Sequence, residues 1–423
     1  MKLIFMLKQL VLVLSCCMLL VACTEKEPVQ VVPRLEDAEV TLKIAVPDST
    51  FEKSYRSIIE KKYPKLTLEF ISEGYFQNVE SGDWKDWLET HKPDLIVSLY
   101  LGMYSQLLKD GLLVPLDPLI KRDNVDLGLY VPSVIDLLRL QDDNRQLYGM
   151  TREFEPVILM YNTEHFDRLG IPYPSEKITW SELLQLAQRF QGDQVHGLLV
   201  HVPTPSRLLA DIGRTEELRL YDTETGEVFA QTEEWKAIWE QVLQAFDSGA
   251  IQLREPGFSR SDAAMVLDYV SRPNEVLTGP WRLAYFPINE RNPNENNLVF
   301  IHRPISIYSQ SLNKEYSWEL LKYLISEDMF RYSRESLFGL PNQIDTITSL
   351  SIENAHVLYD FKPKVNTIPE FARLEYVREF YDIGDQIFEE ISQGSMNLDE
   401  GLEQYELKLK ELMAKVRQSE PIQ

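Results

Sequence analysis

Glu153 and Glu155, two residues apart in Thr151-Arg152-Glu153-Phe154-Glu155-Pro156, are the acidic pair on which chemistry could rest. On an extended strand such residues share a face, with Cβ atoms roughly 7 Å from each other. Two carboxyls so placed suit the acid and the nucleophile of a glycoside hydrolase. They suit equally the acceptance of hydrogen bonds from a hydroxylated or cationic ligand, or plain solvation. No second motif supports hydrolysis: G-x-G-x-x-G, G-x4-G-K-[ST], G-x-S-x-G and H-E-x-x-H are all absent. Six histidines are scattered, at 91, 165, 196, 201, 302 and 356. The closest pair, His196 and His201, flanks Gly197-Leu198-Leu199-Val200, so on a strand the two point to opposite faces and read as ordinary histidines. Neither a metal nor a cofactor is expected.

Those carboxylates need a scaffold, and the chain is long enough for two or three domains at 423 residues. Apolar residues at 44% and charged residues at 26% are the balance of a soluble globular protein. The net charge of −23 repels phosphate backbones and argues against nucleic acid as a partner. Residues 40–46 (VTLKIAV), 66–71 (LTLEFI) and 94–99 (DLIVSL) read as strands, and 50–62 and 84–90 between them as helices. Strands alternating with helices imply parallel βαβ units and an α/β sheet, whose ligands sit beyond the carboxyl ends of the strands. That edge holds 47–49, 72–75 and 98–104, which makes Asp48 and Tyr100 candidate ligand contacts. Further on, Thr179 and Glu182 have capping-box spacing before an amphipathic helix at 183–190. Residues 218–222 and 227–231 read as a hairpin around the turn 223–226. Helical spacing dominates 233–248, 314–326 and 370–415.

All three cysteines, Cys16, Cys17 and Cys23, fall at the amino terminus, so the body has no disulfide framework. Lys2 and Lys8 precede an apolar run at 10–21, too short to span a bilayer but suited to a signal peptide over 1–22. Leu20-Val21-Ala22-Cys23 resembles the lipobox of bacterial lipoproteins, which implies cleavage before Cys23 and acylation of its thiol. Residues 23–39 then read as the lipidated cysteine and a flexible, polar, proline-containing tether.

The stretch 146–171 (QLYGMTREFEPVILMYNTEHFDRLGI), with Tyr161-Asn162 and Leu169-Gly170, resembles the signature of family 1 extracellular solute-binding proteins. Lys92-Pro93-Asp94-Leu95-Ile96, Gly279-Pro280-Trp281, Ser317-Trp318-Glu319 and Asn397-Leu398-Asp399-Glu400-Gly401-Leu402 extend the match. The resemblance implies an α/β, two-lobed periplasmic-binding-protein-like fold (type II), with crossing strands between the lobes and a ligand cleft. Lobe one would hold 40–152 plus 303–342, and lobe two 157–298 plus 349–415. The chain would cross near 152–157, 299–305 and 339–348. By the same resemblance Glu155 matches a sugar-contacting glutamate, Trp281 a tryptophan that stacks on a sugar ring, and Tyr381 a further stacking aromatic. Glu155 is therefore read as a ligand contact, with Glu153 beside it. The family's maltose binder carries an acidic and basic pair after the third strand; Ser98-Leu99-Tyr100-Leu101-Gly102 stands there instead, which puts maltose itself in doubt.

The function implied is the lipid-anchored, extracytoplasmic binding component of an ABC importer, not an enzyme. A monomer would capture a small solute, a sugar or oligosaccharide, and deliver it to the permease subunits. Two other readings stay open: a secreted glycoside-active enzyme using Glu153 and Glu155, and a sensor or adhesin lipoprotein of the same fold.

Overall fold

The turn after the first strand carries its own helix signal. Asp48 is extended and its Oδ1 accepts the Thr50 backbone N–H at 2.5 Å, so helix α1 (Ser49–Lys62) starts there. Phe51, Tyr55 and Ile59, four apart, form its buried stripe, and Tyr63-Pro64 stops it. This computed structural model describes residues 34–419 apart from 77, 79–83, 192–194, 223–224, 255–259, 271–278, 297, 334–338, 349–352 and 364–373.

The strands are β1 (Thr41–Ala45), β2 (Thr67–Ile71), β3 (Leu95–Val97), β4 (Gly149–Met150), β5 (Glu153–Asn162), β6 (His196–Val200) and β7 (Ile251–Leu253). They continue with β8 (Ala263–Tyr269), β9 (Trp281–Ala284), β10 (Glu295–Asn296), β11 (Val299–His302), β12 (Ile305–Ile307), β13 (Leu340–Pro341) and β14 (Lys362–Pro363). The first sheet has the order β2-β1-β3-β12-β4, with β1, β2 and β3 parallel and β12 antiparallel to both its neighbours. The second runs β11-β5-β8-β6-β7, with β9 and β13 also paired to β5. Strands β10 and β14 form a separate parallel pair.

Two short links join the sheets. Residues 151–152 lead from β4 into β5, and 303–304 return the chain from β11 to β12. Strand β13 adds a third segment by pairing Leu340 with Phe154 and Pro341 with Glu153. Fully buried Asn342 fastens this junction: its Nδ2 donates to Thr151 O at 3.1 Å, its backbone N–H to Arg152 O at 2.8 Å, and its Oδ1 accepts from Val131 N–H at 3.1 Å. Pro156 has no N–H and would weaken an ordinary central strand. It falls where β5 exchanges the partners β11 and β13, paired up to residue 156, for β8 and β9, paired from 157 onward.

From Val157 to Met160 both faces of β5 are buried, each in a different core. Val157 and Leu159 join Met265, Leu267, Trp180 and Trp239 in one cluster. Ile158 and Met160 join Val266 and Leu283 in the other, which continues through the first sheet to Leu42, Ile44 and Trp318. Helices α2 (Leu101–Lys109), α3 (Trp180–Gln188), α4 (Pro205–Thr215) and α5 (Glu233–Asp247) follow the strands, and α6 (Leu374–Ser392) and α7 (Leu398–Ser419) pack against α4 and α5. Among the described residues no helix is long and apolar enough to cross a membrane.

Three local expectations change. Of the long helical stretch 370–415, residues 370–373 lie outside the described residues and the rest is two helices, because Gly394 turns left-handed (φ 71°) and Asn397 Oδ1 accepts Glu400 N–H at 3.0 Å to start α7. The hairpin at 218–231 forms but is short: Tyr221 bridges Val228, Phe229 N–H donates to Leu220 O and Asp222 N–H to Glu227 O, both at 2.9 Å; residues 223–224 lie outside the described residues. The tether does not reach 39, since Leu35 and Ala38 are buried, Leu35 in the first core cluster. Cys23 and the signal segment lie outside the described residues.

The capping box at α3 is formed in both directions: Glu182 N–H donates to Thr179 Oγ1 at 3.2 Å, and Thr179 N–H to Glu182 Oε2 at 2.9 Å. Thr179→Ala is expected to lower stability by about 1 kcal/mol and Thr179→Ser by much less, as read from urea denaturation. Equal midpoints for Thr179→Ala and the wild type would contradict this.

Candidate functional site

Side chains from both sheets meet where the links cross, and the dipeptide His302-Arg303 ties them together. Arg303 has a left-handed backbone (φ 50°), a conformation that costs a residue with a Cβ about 1 kcal/mol or more. That bend turns the chain out of β11, and Arg303 Nη2 lies 3.3 Å from Asp48 Oδ2 at the start of α1. Burial works against the Asp48 charge, but the Thr50 hydrogen bonds and the Arg303 guanidinium outweigh it and hold the carboxyl below its usual value. His302 forms a backbone bridge with Tyr100, which stands at the start of α2, and its Nε2 lies 2.6 Å from Glu155 Oε2. A carboxylate oxygen only accepts, so Nε2 is the donor. Asp48, Tyr100 and Glu155, three of the residues singled out in the sequence, are thus joined through two that were not.

Register decides which face these groups share. Phe300 pairs with Glu155 and His302 with Glu153, so all four side chains leave the same side of the β5–β11 ribbon. Phe154 and Ile301 leave the other side and are buried. Phe300 is 41% exposed beside Glu155, and its ring makes an edge contact with Tyr269 at 4.9 Å. Tyr269 ends β8 and makes a second edge contact with His201 at 5.0 Å. Burial first, then the charges of Asp211, Asp268 and Glu155, push the Tyr269 hydroxyl well above the ordinary phenol value. An aromatic surface therefore lies beside the hydrogen-bonding groups, at the carboxyl ends of β1, β3, β6 and β8.

The remaining sequence candidates lie elsewhere. Glu153 is 2% exposed and its Oε2 faces the Gly339 N–H at 3.4 Å, so it belongs to the junction and not to the open face. Trp281 pairs with Asn162, seven residues along β5 from Glu155 and so roughly 23 Å away, where it packs half-buried against the first core cluster. Tyr381 lies on α6, its ring under the Arg207 guanidinium at 4.1 Å and its hydroxyl 3.2 Å from Arg214 Nη2. Arg214 in turn reaches Asp211 at 2.6 Å, and Asp211 faces buried His201 at 3.2 Å. Tyr381 is connected to Tyr269 through this buried set and does not stand on the Glu155 face. The sequence reading passed over Phe300, His302 and Arg303; the alternation Val299-Phe300-Ile301-His302 was the available signal. Among the described residues no group of three or more His, Cys, Asp or Glu could hold a metal ion.

The arrangement offers one well-oriented carboxylate, an imidazole, a fixed guanidinium–carboxylate pair and an exposed ring. Such a set suits hydrogen bonding to a polar solute with an apolar face. Residues 48–329 match the family model of the bacterial extracellular solute-binding protein. The fold is similar to the sugar-binding protein MalE of Xanthomonas citri, at a TM-score of 0.68 and 16% identity over 90% of this chain and 98% of that one. It is similar too to an ABC substrate-binding protein of Listeria monocytogenes in complex with cycloalternan (TM-score 0.60, 16% identity, 89% of this chain and 98% of that one). A solute-binding protein of Agrobacterium radiobacter in complex with ribitol gives 0.59 at 16% identity, over 90% of this chain and 100% of that one. With the family model covering most of the folded body and the architecture agreeing, the chain belongs to the bacterial extracellular solute-binding proteins.

Proposed function

We propose that this chain is the lipid-anchored, extracytoplasmic receptor of an ABC importer, acting as a monomer, and that its solute is an uncharged sugar or polyol. The observation that carries the reading is the open face of β5 and β11, where Glu155, Phe300 and His302 stand together between the two sheets. A carboxylate accepts hydroxyl hydrogen bonds, and a flat ring covers the C–H face of a sugar. Solved relatives of the same fold that hold cycloalternan or ribitol support that ligand class.

Lobe one is taken as 40–152 plus 303–342 and lobe two as 157–298 plus 349–415, closing over the solute by bending at the links. Only a difference in affinity between open and closed states is needed for delivery to the permease. The hydrolytic reading is disfavoured by the fate of its two carboxylates, since Glu153 is buried at the junction and Glu155 is engaged by His302. Acylation of Cys23 would hold the body at the membrane, each buried CH2 adding about 0.8 kcal/mol.

Calorimetric titration with maltose, D-tagatose, D-mannitol and ribitol tests the solute class. Binding without turnover is expected for at least one, and Phe300→Ala should weaken it by about 1–2 kcal/mol. Trp281→Ala, at the far end of β5, should leave affinity unchanged. A silent Phe300→Ala together with a damaging Trp281→Ala would move the site away from Glu155. For the anchor, Cys23→Ala should shift the protein from the membrane to the soluble fraction; continued sedimentation with membranes would refute lipidation.

A further inference from the structure

The geometry points to His302 as the residue that positions Glu155 for solute recognition, and it does so by occupying one carboxylate oxygen. The inference rests on the sugar or polyol reading of the same face. Unconstrained, a glutamate rotates broadly about its last torsion and offers two equivalent oxygens. Here Oε2 accepts from His302 Nε2 at 2.6 Å, short even for a charge-assisted hydrogen bond. Oε1 makes no hydrogen bond to a described residue.

The strand that carries the imidazole is itself fixed. The His302 backbone pairs with Glu153 on one side and bridges to Tyr100 on the other. On the opposite flank of Glu155, Gly339 closes in. A Cβ built there would stand 2.8 Å from Glu155 Cγ and 2.5 Å from Phe154 O, so only glycine lets the third segment come this near. Glu155 is therefore held between β11 and β13, with the direction of its remaining oxygen set before any solute arrives. Such preorganisation removes an ordering cost from binding and commits the carboxylate to a single hydroxyl donor on the solute. His302 acts through Glu155, so it is a positioning residue, and it makes the site selective for a hydroxyl at one place on the ring or chain.

The test uses the full chain, calorimetry, and the tightest binder among maltose, D-tagatose, D-mannitol and ribitol, with its monodeoxy derivatives. His302→Ala is expected to weaken the parent probe about tenfold. His302→Gln, whose amide N–H reaches close to the Nε2 position, should restore most of the loss, and His302→Asn, which falls short, should not. One monodeoxy derivative, lacking the hydroxyl that meets Glu155, should bind the wild type and His302→Ala equally. Parent affinity unchanged in His302→Ala, equal losses in the Gln and Asn variants, or an equal penalty for every deoxy derivative would overturn the assignment while leaving the solute class standing. If no probe binds the wild type, the solute reading falls and this assignment falls with it.

Discussion

The hydrogen-bond ladder of β5 is the constraint on which both sheets depend. From Val157 to Met160 the strand is buried on both faces, so backbone N–H and C=O groups there must find partners on neighbouring strands. Four strands pair with β5 in all: β11 and β13 over the first residues, β8 and β9 over the rest. Pro156, which cannot donate, sits at the exchange, where its own carbonyl accepts the Val270 N–H at 3.2 Å. The position of the two sheets, the register of Phe300 against Glu155, and the approach of Gly339 all follow from that one strand.

Electrostatics at the junction divides along the same line. Arg303 satisfies Asp48, and His302 satisfies half of Glu155, both from consecutive residues at the end of β11. The left-handed Arg303 is the local cost of sending two neighbouring side chains to two different elements. Neither pair could be assigned from the sequence, because Asp48 and Arg303 are far apart in the chain and meet only when the sheets are assembled.

Local structure was legible wherever a physical rule acts over a few residues. The alternation at 40–46, the helix at 50–62 and the Thr179–Glu182 box all appear as read. The helical stretch 370–415 misled because periodicity does not mark a left-handed glycine such as Gly394. The fold class came through the family signature, which preserves chain order. The distance of Trp281 from Glu155 was not legible, since β9 pairs along β5 so as to carry it to Asn162, and no short-range rule reports strand register. Phe300 and His302 were hidden for the same reason: their partners lie well over a hundred residues away in sequence.

The first core cluster passes from the helices around Trp318 through the first sheet and on to Ile158, Met160, Val266 and Leu283 of the second. Neither half of the molecule owns that apolar layer. A fragment comprising only the second sheet and its helices would present those side chains to water and stick to its neighbours. Melting should accordingly be cooperative across both halves, with one calorimetric transition in place of two.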